Sequence, residues 1–430
     1  MGALLTVALS GRVVGDLERV GPRRMRFTYR PEVVAGTPHG IGLLSQSLPI
    51  QAAAFSPSQT KPFFEGLLPE GETRRQVAGQ LGLRDIAGEF ELLAELGRDC
   101  AGAVVVTPPG EAQMVQPVRW FKEGELATRV DALPRRALGI DIERGARLSL
   151  AGVQPKLVLI RDASGLWGTP TAQSPSTHIL KPPLRNRAGD AIHEDLVANE
   201  LFCLRTLEGA GIPVAHAEHL RVDGREVLVV ERFDRASDSH GTVRRLHQED
   251  SCQALGRLSD QKYTDETGGV RLPELFALIG RFAAVPAIER LRLFDQIVAN
   301  VTLGNADAHG KNIAILYSGP GRGAFSPMYD VVCTAAYADL TTRLAIDVGD
   351  ARDLFEVGPD SIATLAKSVG MNANAAIRRA ATLAETLAVG AQAARDAANA
   401  AGWGRPILDE IVAIVGRQAE SLARGRPLTS

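Results

Sequence analysis

The chain has 430 residues, of which 45% are hydrophobic and 23% are charged, and its formal net charge is -2 at pH 7. These values exclude a disordered chain and a protein whose overall charge attracts nucleic acid. The length is enough for two or more lobes with a large core, so we expect a globular protein of enzyme size.

The start of the chain lacks the basic, apolar and cleavage regions of a signal peptide, and no segment is apolar enough to predict a membrane span. The 4 cysteines are scattered without a C-x-x-C pair, which favours separate thiols in a reducing compartment. We therefore expect a cytoplasmic protein with no membrane partner.

The N-terminal region alternates apolar and polar residues as small antiparallel sheets do, with strands predicted over 4–9, 13–17 and 25–29. Three prolines then predict a loop: Pro49, Pro57 and Pro62. Short helices over 72–81 and 89–97 and a strand over 102–106 follow. Residues 110–145 are helix-prone and indicate no chemistry.

The central region contains candidate phosphate ligands. The small residues Ser149, Ala151 and Gly152 precede Lys156 and a β-rich run, and small residues let backbone N–H groups cradle phosphates. A plain hairpin turn has the same pattern. A strand over 177–181 ends in Lys181, as does the kinase strand whose lysine reaches the α- and β-phosphates. The alternative is an ordinary exposed strand lysine.

A helix over 195–208 comes next, with Glu200 available to pair with Lys181. Strands over 214–220 and 226–235 follow, and the second ends in the charged segment Glu231–Arg235, which is typical of a hinge. From Leu246 onward the pattern predicts a hairpin over 313–332 and otherwise helices, over 249–257, 272–284, 286–303, 359–368, 372–401 and 407–424. The alanine-rich run has high helix propensity and predicts a packed scaffold.

The stretch from Asn305 to Asn312 combines an acid, an imidazole, an ammonium and an amide. The run before it predicts a helix with one buried stripe that ends at Gly304, and the stripe is Leu291, Phe294, Ile297, Val298, Val301 and Thr302. Asn, Asp, His and Gly also fill ordinary turns. A plain turn, however, does not require a Lys-Asn pair and a following Tyr-Asp.

This residue set matches the needs of phosphoryl transfer. The reaction needs a carboxylate that orients the attacking hydroxyl and a cation near the phosphate, and an amide and a carboxylate that hold Mg²⁺. The four residues that supply these parts are, in the same order, Asp307, Lys311, Asn312 and Asp330. The predicted hairpin brings Asp330 back beside the loop. We therefore interpret Asn305–Asn312 as the catalytic loop of a kinase.

With these pieces placed, the sequence resembles the HipA family of bacterial serine/threonine kinases, the toxins of HipBA-type toxin-antitoxin pairs. The resemblance rests on segments that occur in the same order along most of the chain: 63–70, 149–156, 178–181, 199–200, 231–235, 247–256, 262–263, 305–312 and 329–331. It implies an α+β, bilobal protein-kinase-like fold with ATP and Mg²⁺ in the cleft. We expect an N-terminal subdomain over 1–110, the β-rich nucleotide-binding N-lobe over 111–242 and an all-helical C-lobe over 243–430.

The resemblance also implies roles for individual residues. Asp307 is the expected catalytic base, assisted by Lys311, and Asn312 and Asp330 are the expected metal ligands. Ser149 matches the autophosphorylation serine of the family. The expected ATP-binding residues are Ser149, Ala151, Gly152, Lys156, Lys181, Glu231, Phe233 and His309, with Glu231 and Phe233 offering backbone groups to adenine.

The activity implied is phosphorylation of a protein such as an aminoacyl-tRNA synthetase, which halts translation and induces dormancy. The implied partner is a HipB-like helix-turn-helix antitoxin, through which DNA is contacted only indirectly. Phosphate on Ser149 adds a charge of about -1.5 to -2 where the ATP phosphates must lie, so self-inactivation is physically reasonable. The chain departs from the family pattern at Pro155, where an acidic residue is expected between the glutamine and the lysine.

Other functions remain as alternatives. A metal-dependent phosphohydrolase can use Asp307, His309 and Asp330, and a binding protein with a silent site can act as a co-repressor. A P-loop at Gly304–Lys311 is rejected because its spacing is one residue too long and Asn312 replaces the required Ser or Thr. The G-x-G-x-x-G and H-R-D motifs of ordinary protein kinases are absent. The pair His216 and His219 is read as a surface pair, because strand neighbours three apart face opposite sides.

Overall fold

The computed structural model describes residues 3–83, 88–110, 117–133, 155–171, 173–185, 191–237 and 242–424. The chain divides into two compact units. Unit 1 comprises residues 1–192, 220–259 and 315–323, and unit 2 comprises residues 193–219, 260–314 and 324–430. The three-part division expected from the sequence stays a prediction.

The described helices are α1 Pro31–Gly36, α2 Pro57–Gly66, α3 Gly71–Gln80, α4 Glu89–Leu96, α5 Glu125–Ala132, α6 Leu196–Gly209, α7 Ser251–Leu255, α8 Leu272–Phe282, α9 Pro286–Thr302, α10 Pro359–Ser368, α11 Ala373–Ala400 and α12 Ile407–Arg424. The described strands up to the end of the central region are β1 Leu4–Leu9, β2 Arg12–Gly21, β3 Arg24–Tyr29, β4 Val104–Thr107, β5 Arg119–Trp120, β6 Leu157–Arg161, β7 Trp167–Thr169, β8 His178–Lys181, β9 Leu184–Arg185, β10 Ala191–Ile192, β11 Ala217–Val222 and β12 Arg225–Glu231. The later strands are β13 Arg235–Ser237, β14 Val243–Arg245, β15 Gln248–Asp250, β16 Ala314–Gly319, β17 Arg322–Phe325, β18 Arg343–Val348 and β19 Ala351–Asp353.

Unit 1 begins with an antiparallel sheet in the order β3-β2-β1-β4. Its inner face is covered by an aromatic cluster in which Phe27 contacts Tyr29, Phe55 and Phe64 with ring centroids 4.8, 6.2 and 5.5 Å apart. All four rings are buried. Burial of aromatic area of this size is a main source of stability for so small a sheet.

Helix α2 corrects the loop expected from Pro57 and Pro62. Pro57 occupies the first turn, where a missing N–H costs nothing, and Ser56 caps the helix together with Gln59. Pro62 lies inside the helix. Phe63 and Phe64 next to it are fully buried, and this burial offsets the hydrogen bond that Pro62 cannot donate.

The second sheet of unit 1 has the order β11-β12-β8-β6-β7-β5, with the unit boundary falling inside β11. Its register pairs Leu157 with Leu180 and Leu228 with Lys181. A separate apolar core lies against it, formed by Phe121, Val130, Leu133, Leu157, Leu159, Trp167, Leu180, Val222, Val227 and Val229.

A buried ion network links the two sheets of unit 1. Asp234 accepts from Arg232 at 2.8 Å and from the Gly102 N–H at 2.7 Å. Arg235 donates to Asp99 at 3.0 Å and lies 3.0 Å from Asp234. Burial opposes the ionisation of Asp234, but the charges of Arg232 and Arg235 outweigh it and hold its pKa below the ordinary value. The ionised groups of the network are paired with one another, and they join the turn before β4 to the segment after β12.

A second buried polar cluster in unit 1 surrounds Glu249. Its carboxylate accepts from the Gln46 N–H at 2.9 Å and from the Tyr317 hydroxyl. The Tyr317 ring stacks on His247, whose Nε2 lies 2.8 Å from the Leu44 carbonyl oxygen. Burial raises the pKa of Glu249 to about 7 and lowers the pKa of His247 to about 4. The segment around Gln46 is thus fixed to β15 and β16 by polar groups.

Unit 2 is mainly helical, and α11 is its scaffold. α11 packs against α6, α9, α10 and α12 through one stripe of small residues and a leucine: Ala376, Ala380, Ala384, Leu387, Ala391, Ala394 and Ala398. Small side chains at spacings of three and four let neighbouring helices approach closely. The expected packed scaffold is therefore observed. The paired strands β18 and β19 were not expected from the sequence.

Two further observations concern the hydrophobicity of the helices and the state of the cysteines. None of the described helices is long and apolar enough to cross a bilayer. All 4 cysteines fall within the described residues, and each is a buried free thiol: Cys100, Cys203, Cys252 and Cys333.

Replacement of Asp234 by alanine is expected to lower the free energy of unfolding of unit 1 by roughly 3–5 kcal/mol, because Arg232 and Arg235 stay buried without that partner. Urea unfolding followed by fluorescence of Trp120 and Trp167, both in unit 1, measures the change. As a control, Glu18→Ala removes a more exposed ion pair with Arg26, and we expect a loss below about 1 kcal/mol. Equal losses in the two variants would contradict a structural role for the network.

Candidate active site

The helix that leads to the predicted catalytic loop is α9, which ends at Thr302, and Gly304 follows in the left-handed region with φ +73°. A Cβ at Gly304 would lie 2.7 Å from the Cys333 sulfur, so glycine is needed for both backbone conformation and close approach. The predicted buried stripe of α9 is observed with one correction. Leu291 is 40% exposed, and Leu293 is buried instead.

The first loop residue, Asn305, is bonded to Asn300 in the last turn of α9. The Asn305 N–H donates to the Asn300 carbonyl at 2.9 Å, and its side-chain amide donates to the Asn300 side-chain oxygen at 2.8 Å. The side-chain oxygen of Asn305 in turn accepts from the Asp307 N–H at 3.1 Å. The backbone of Asp307 is therefore fixed to α9, and Asp307 itself is exposed.

The rest of the loop is closed by its own backbone. The His309 N–H donates to the Asp307 carbonyl at 2.8 Å, and the Asn312 N–H donates to the His309 carbonyl at 2.9 Å. His309 is buried, with its ring edge-on to Tyr263 at 5.6 Å. Lys311, expected to act on the phosphate, is only 6% exposed and lies in the 3-10 turn Gly310–Asn312.

The second expected acid, Asp330, lies in an irregular segment beyond the hairpin β16–β17, which ends at Phe325. Just before it, the Tyr329 hydroxyl donates to the Lys311 carbonyl at 2.7 Å, which ties this segment to the loop. Asp330 has φ +56°, an unfavourable conformation for a residue with a side chain. Strained backbone of this kind persists where the surrounding structure enforces it, and it is common at functional sites.

Both expected metal ligands, Asn312 and Asp330, line one small cavity in unit 2, together with Gln296, Asn300 and Asn305. A carboxylate and amide oxygens are hard oxygen donors, the kind that Mg²⁺ prefers. Among the described residues no group of three or more His, Cys, Asp or Glu gathers as a metal site. The donor set fits a magnesium ion that takes few protein ligands and completes its shell with phosphate and water.

The candidate phosphate ligands of unit 1 come together at one end of its second sheet. Lys156 immediately precedes β6, and Lys181 is the last residue of β8. Because Leu157 pairs with Leu180, the two lysines lie side by side on neighbouring strands. Both are buried. Ser149, Ala151 and Gly152, the other residues predicted for this phosphate site, lie outside the described residues.

The predicted adenine contacts lie at the end of β12, where Glu231 is exposed and Phe233 is half-buried. Arg232 and Asp234 on either side of Phe233 belong to the buried ion network. The side chains of Arg232 and Asp234 are buried in this network, and their bonds hold the backbone of Glu231 and Phe233 in one conformation. Glu200 belongs to unit 2 and Lys181 to unit 1, so the suggested pairing stays a prediction.

Sequence reasoning missed three residues around the loop. Gln296 and Asn300, four residues apart on α9, line the same cavity as Asp330. Polar residues four apart on an otherwise apolar helix face were a usable signal. Thr334, whose hydroxyl accepts from the Ala306 N–H at 2.9 Å, carried none, because a lone threonine looks the same in any turn.

Two protein-family models match this chain. Residues 5–107 match the HipA N-terminal domain, and residues 148–393 match the HipA-like C-terminal domain. The Sinorhizobium fredii protein Y4mE, named as a kinase, is 38% identical over 392 residues, which cover 90% of each chain. The serine/threonine-protein kinase toxin HipA of Shewanella oneidensis is 30% identical over 342 residues, covering 77% of this chain and 76% of that protein.

The fold is also similar to a solved structure, the complex of HipA, HipB and operator DNA from Shewanella oneidensis MR-1. The similarity has a TM-score of 0.78 and 26% identity, and it covers 97% of this chain and 96% of that one. The expected α+β, kinase-like fold is thereby confirmed. Together with the two domain matches and the relative at 38% identity, it shows that this chain belongs to the HipA family of serine/threonine-protein kinase toxins.

Proposed function

We propose that this chain transfers the γ-phosphate of ATP to a serine or threonine hydroxyl of a protein. The observation that carries the proposal is the cavity lined by Asn312 and Asp330 beside the loop of the exposed acid Asp307. A base that faces solvent can reach a protein hydroxyl, and two oxygen donors next to it can hold the metal of a nucleotide.

Asp307 is assigned as the residue that orients the attacking hydroxyl and accepts its proton. Its backbone is fixed by Asn305, so little ordering remains to be done when the substrate binds. Asn312 and Asp330 would hold Mg²⁺, which, when bound, neutralises charge on the phosphate oxygens. Lys311 adds positive charge behind the loop, and His309 helps to shape the nucleotide site.

Lys156 and Lys181 are assigned to the ATP phosphates. The register of β6 and β8 places the two buried lysines on neighbouring strands, so a phosphate bound there would meet two positive charges. Ser149, Ala151 and Gly152 would complete the phosphate site with their backbone. The fixed backbone groups of Glu231 and Phe233 are suited to adenine, which is read by hydrogen bonds to main-chain atoms.

We further propose that the chain is the toxin of a type II toxin-antitoxin pair. The similarity to HipA in a complex with HipB and operator DNA supports a HipB-like helix-turn-helix antitoxin as partner, with DNA contacted through that antitoxin. The net charge of -2 agrees with indirect DNA contact. The proposed target is a translation protein of the aminoacyl-tRNA synthetase class, with phosphorylation of Ser149 switching the enzyme off.

Replacement of Asp307 by alanine is expected to reduce phosphate transfer by about 10²- to 10⁴-fold, because the positioned base is lost. The melting temperature should be unchanged, since Asp307 is exposed. Transfer of radiolabelled phosphate from ATP to proteins of a cell lysate measures the effect. Asp350→Ala, which removes an exposed acid in the turn after β18, is the matched control.

Wild-type transfer by the Asp307→Ala variant would refute the assignment of the base. If the wild-type chain instead hydrolysed a generic phosphate ester and transferred nothing to protein, the phosphohydrolase alternative would replace the kinase.

Replacement of Asp330 by asparagine is expected to raise the Mg²⁺ concentration for half-maximal ATP binding about tenfold or more, because a charged ligand becomes neutral. Asparagine tolerates the left-handed backbone, so the fold is preserved. Calorimetric titration of ATP at a series of Mg²⁺ concentrations gives the value. Asp223→Asn is the control, because Asp223 also has a positive φ, +48°, in the turn between β11 and β12. An unchanged Mg²⁺ requirement in Asp330→Asn would remove Asp330 from the metal site.

Incubation of the wild-type chain with Mg-ATP is expected to add one dominant phosphate at Ser149 and then to weaken ATP binding. The new charge of about -1.5 to -2 would compete with the ATP phosphates for the same lysines. Intact-mass measurement and peptide mapping locate the modification, with Ser149→Ala as the control. A dominant phosphate at another residue would overturn self-inactivation through Ser149.

A further inference from the structure

The segment that carries Asp330 is held by an asparagine of α6. The side-chain oxygen of Asn199 accepts from the Cys333 N–H at 2.8 Å, and its side-chain NH₂ donates to the Cys333 carbonyl at 3.1 Å. Asn199 is 0% exposed. The amide therefore takes both backbone groups of Cys333, as a neighbouring β-strand would, and fixes the chain three residues after Asp330.

The next residue, Thr334, reaches the catalytic loop. Its hydroxyl accepts from the Ala306 N–H at 2.9 Å and donates to the Gly304 carbonyl at 3.3 Å. The Ala335 N–H donates to the same Gly304 carbonyl at 3.1 Å. The loop residue next to Asp307 is thus bonded directly to the segment that Asn199 holds.

These contacts form one continuous path within unit 2. It runs from α6 through Asn199 to Cys333, passes to Thr334, and ends at Ala306 beside Asp307. The groups along the path are neutral, so they set geometry without adding charge beside the two acids. Gly304 lets the two segments approach, because any side chain there would collide with Cys333.

We propose that Asn199 and Thr334 are positioning residues that fix the catalytic loop and the Asp330 segment to each other. The proposal rests on the proposed function, because it gives these residues a role through Asp307 and Asp330. Neither residue touches the reacting atoms. A small shift of the loop would move Asp307, the proposed base, away from the substrate hydroxyl.

The test is hydrogen exchange followed by mass spectrometry on the full chain, with phosphate transfer as a second readout. Thr334→Val keeps the shape of the side chain and removes only the hydroxyl. We expect exchange of peptides covering 304–312 to become about tenfold faster and kcat to fall about tenfold or more, with KM for ATP nearly unchanged. Thr334→Ser keeps the hydroxyl and should restore both values.

The matched control is Thr302→Val. Thr302 is a buried threonine at the end of α9 whose hydroxyl donates to Val298 within the same helix at 2.8 Å. It should leave exchange of 304–312 and kcat near the wild-type values. Asn199→Ala tests the first link, from α6 to Cys333, and should speed exchange of 331–335 together with 304–308.

The proposal is overturned if Thr334→Val changes loop exchange no more than Thr302→Val does, or if Thr334→Ser is as impaired as Thr334→Val. These results are independent of the kinase assignment. A wild-type chain that transfers no phosphate to protein contradicts the proposed function, while the exchange measurements still decide whether Thr334 fixes the loop.

Discussion

The constraint on which unit 1 depends is the burial of two aspartates, Asp99 and Asp234, away from water. A buried carboxylate is tolerated only with fixed cationic partners, and these aspartates have Arg232, Arg235 and Arg245. Removal of one group leaves its partners charged and desolvated, so the network admits one arrangement. That arrangement connects the N-terminal sheet to the segment after β12, and so fixes the backbone proposed to read adenine.

In unit 2 the backbone of the candidate site is held by neutral groups instead of ion pairs. The loop of Asp307 is held by the amides of Asn300 and Asn305 and by the hydroxyl of Thr334. Such groups satisfy backbone N–H and C=O groups without placing a charge nearby. An arginine in the same place would pair with Asp307 or Asp330 and so compete with the proposed substrate and metal. Neutral hydrogen bonds in unit 2 therefore leave the proposed catalytic acids without a competing arginine, whereas unit 1 can use ion pairs.

The sequence predicted those parts whose cause is local. Periodicity predicted β1 and α9 at nearly their observed positions. The residue types within a short window identified the loop that follows α9. The alanine scaffold α11 was also predicted, since helix propensity is a local property.

The errors have a common cause, which is that packing across the chain decided the result. Pro62 argues locally against a helix, yet α2 forms because Phe63 and Phe64 are buried on the sheet. The hairpin was expected to extend to residue 332 and to carry Asp330, but β17 ends at Phe325 and Asp330 lies in irregular backbone. The role of Thr334 depends only on Ala306 and Gly304, which the fold brings close to it.

Asp330 shows how such distant contacts produce a site. A residue with a side chain in the left-handed region costs on the order of 1–3 kcal/mol, so the surrounding contacts must hold it there. The segment is fixed on both sides, by Tyr329 bonded to Lys311 and by Cys333 bonded to Asn199. Between these two fixed points Asp330 has the left-handed conformation and lines the cavity with Asn312. The left-handed conformation of Asp330 is therefore held in part by helix α6, more than a hundred residues earlier in the chain.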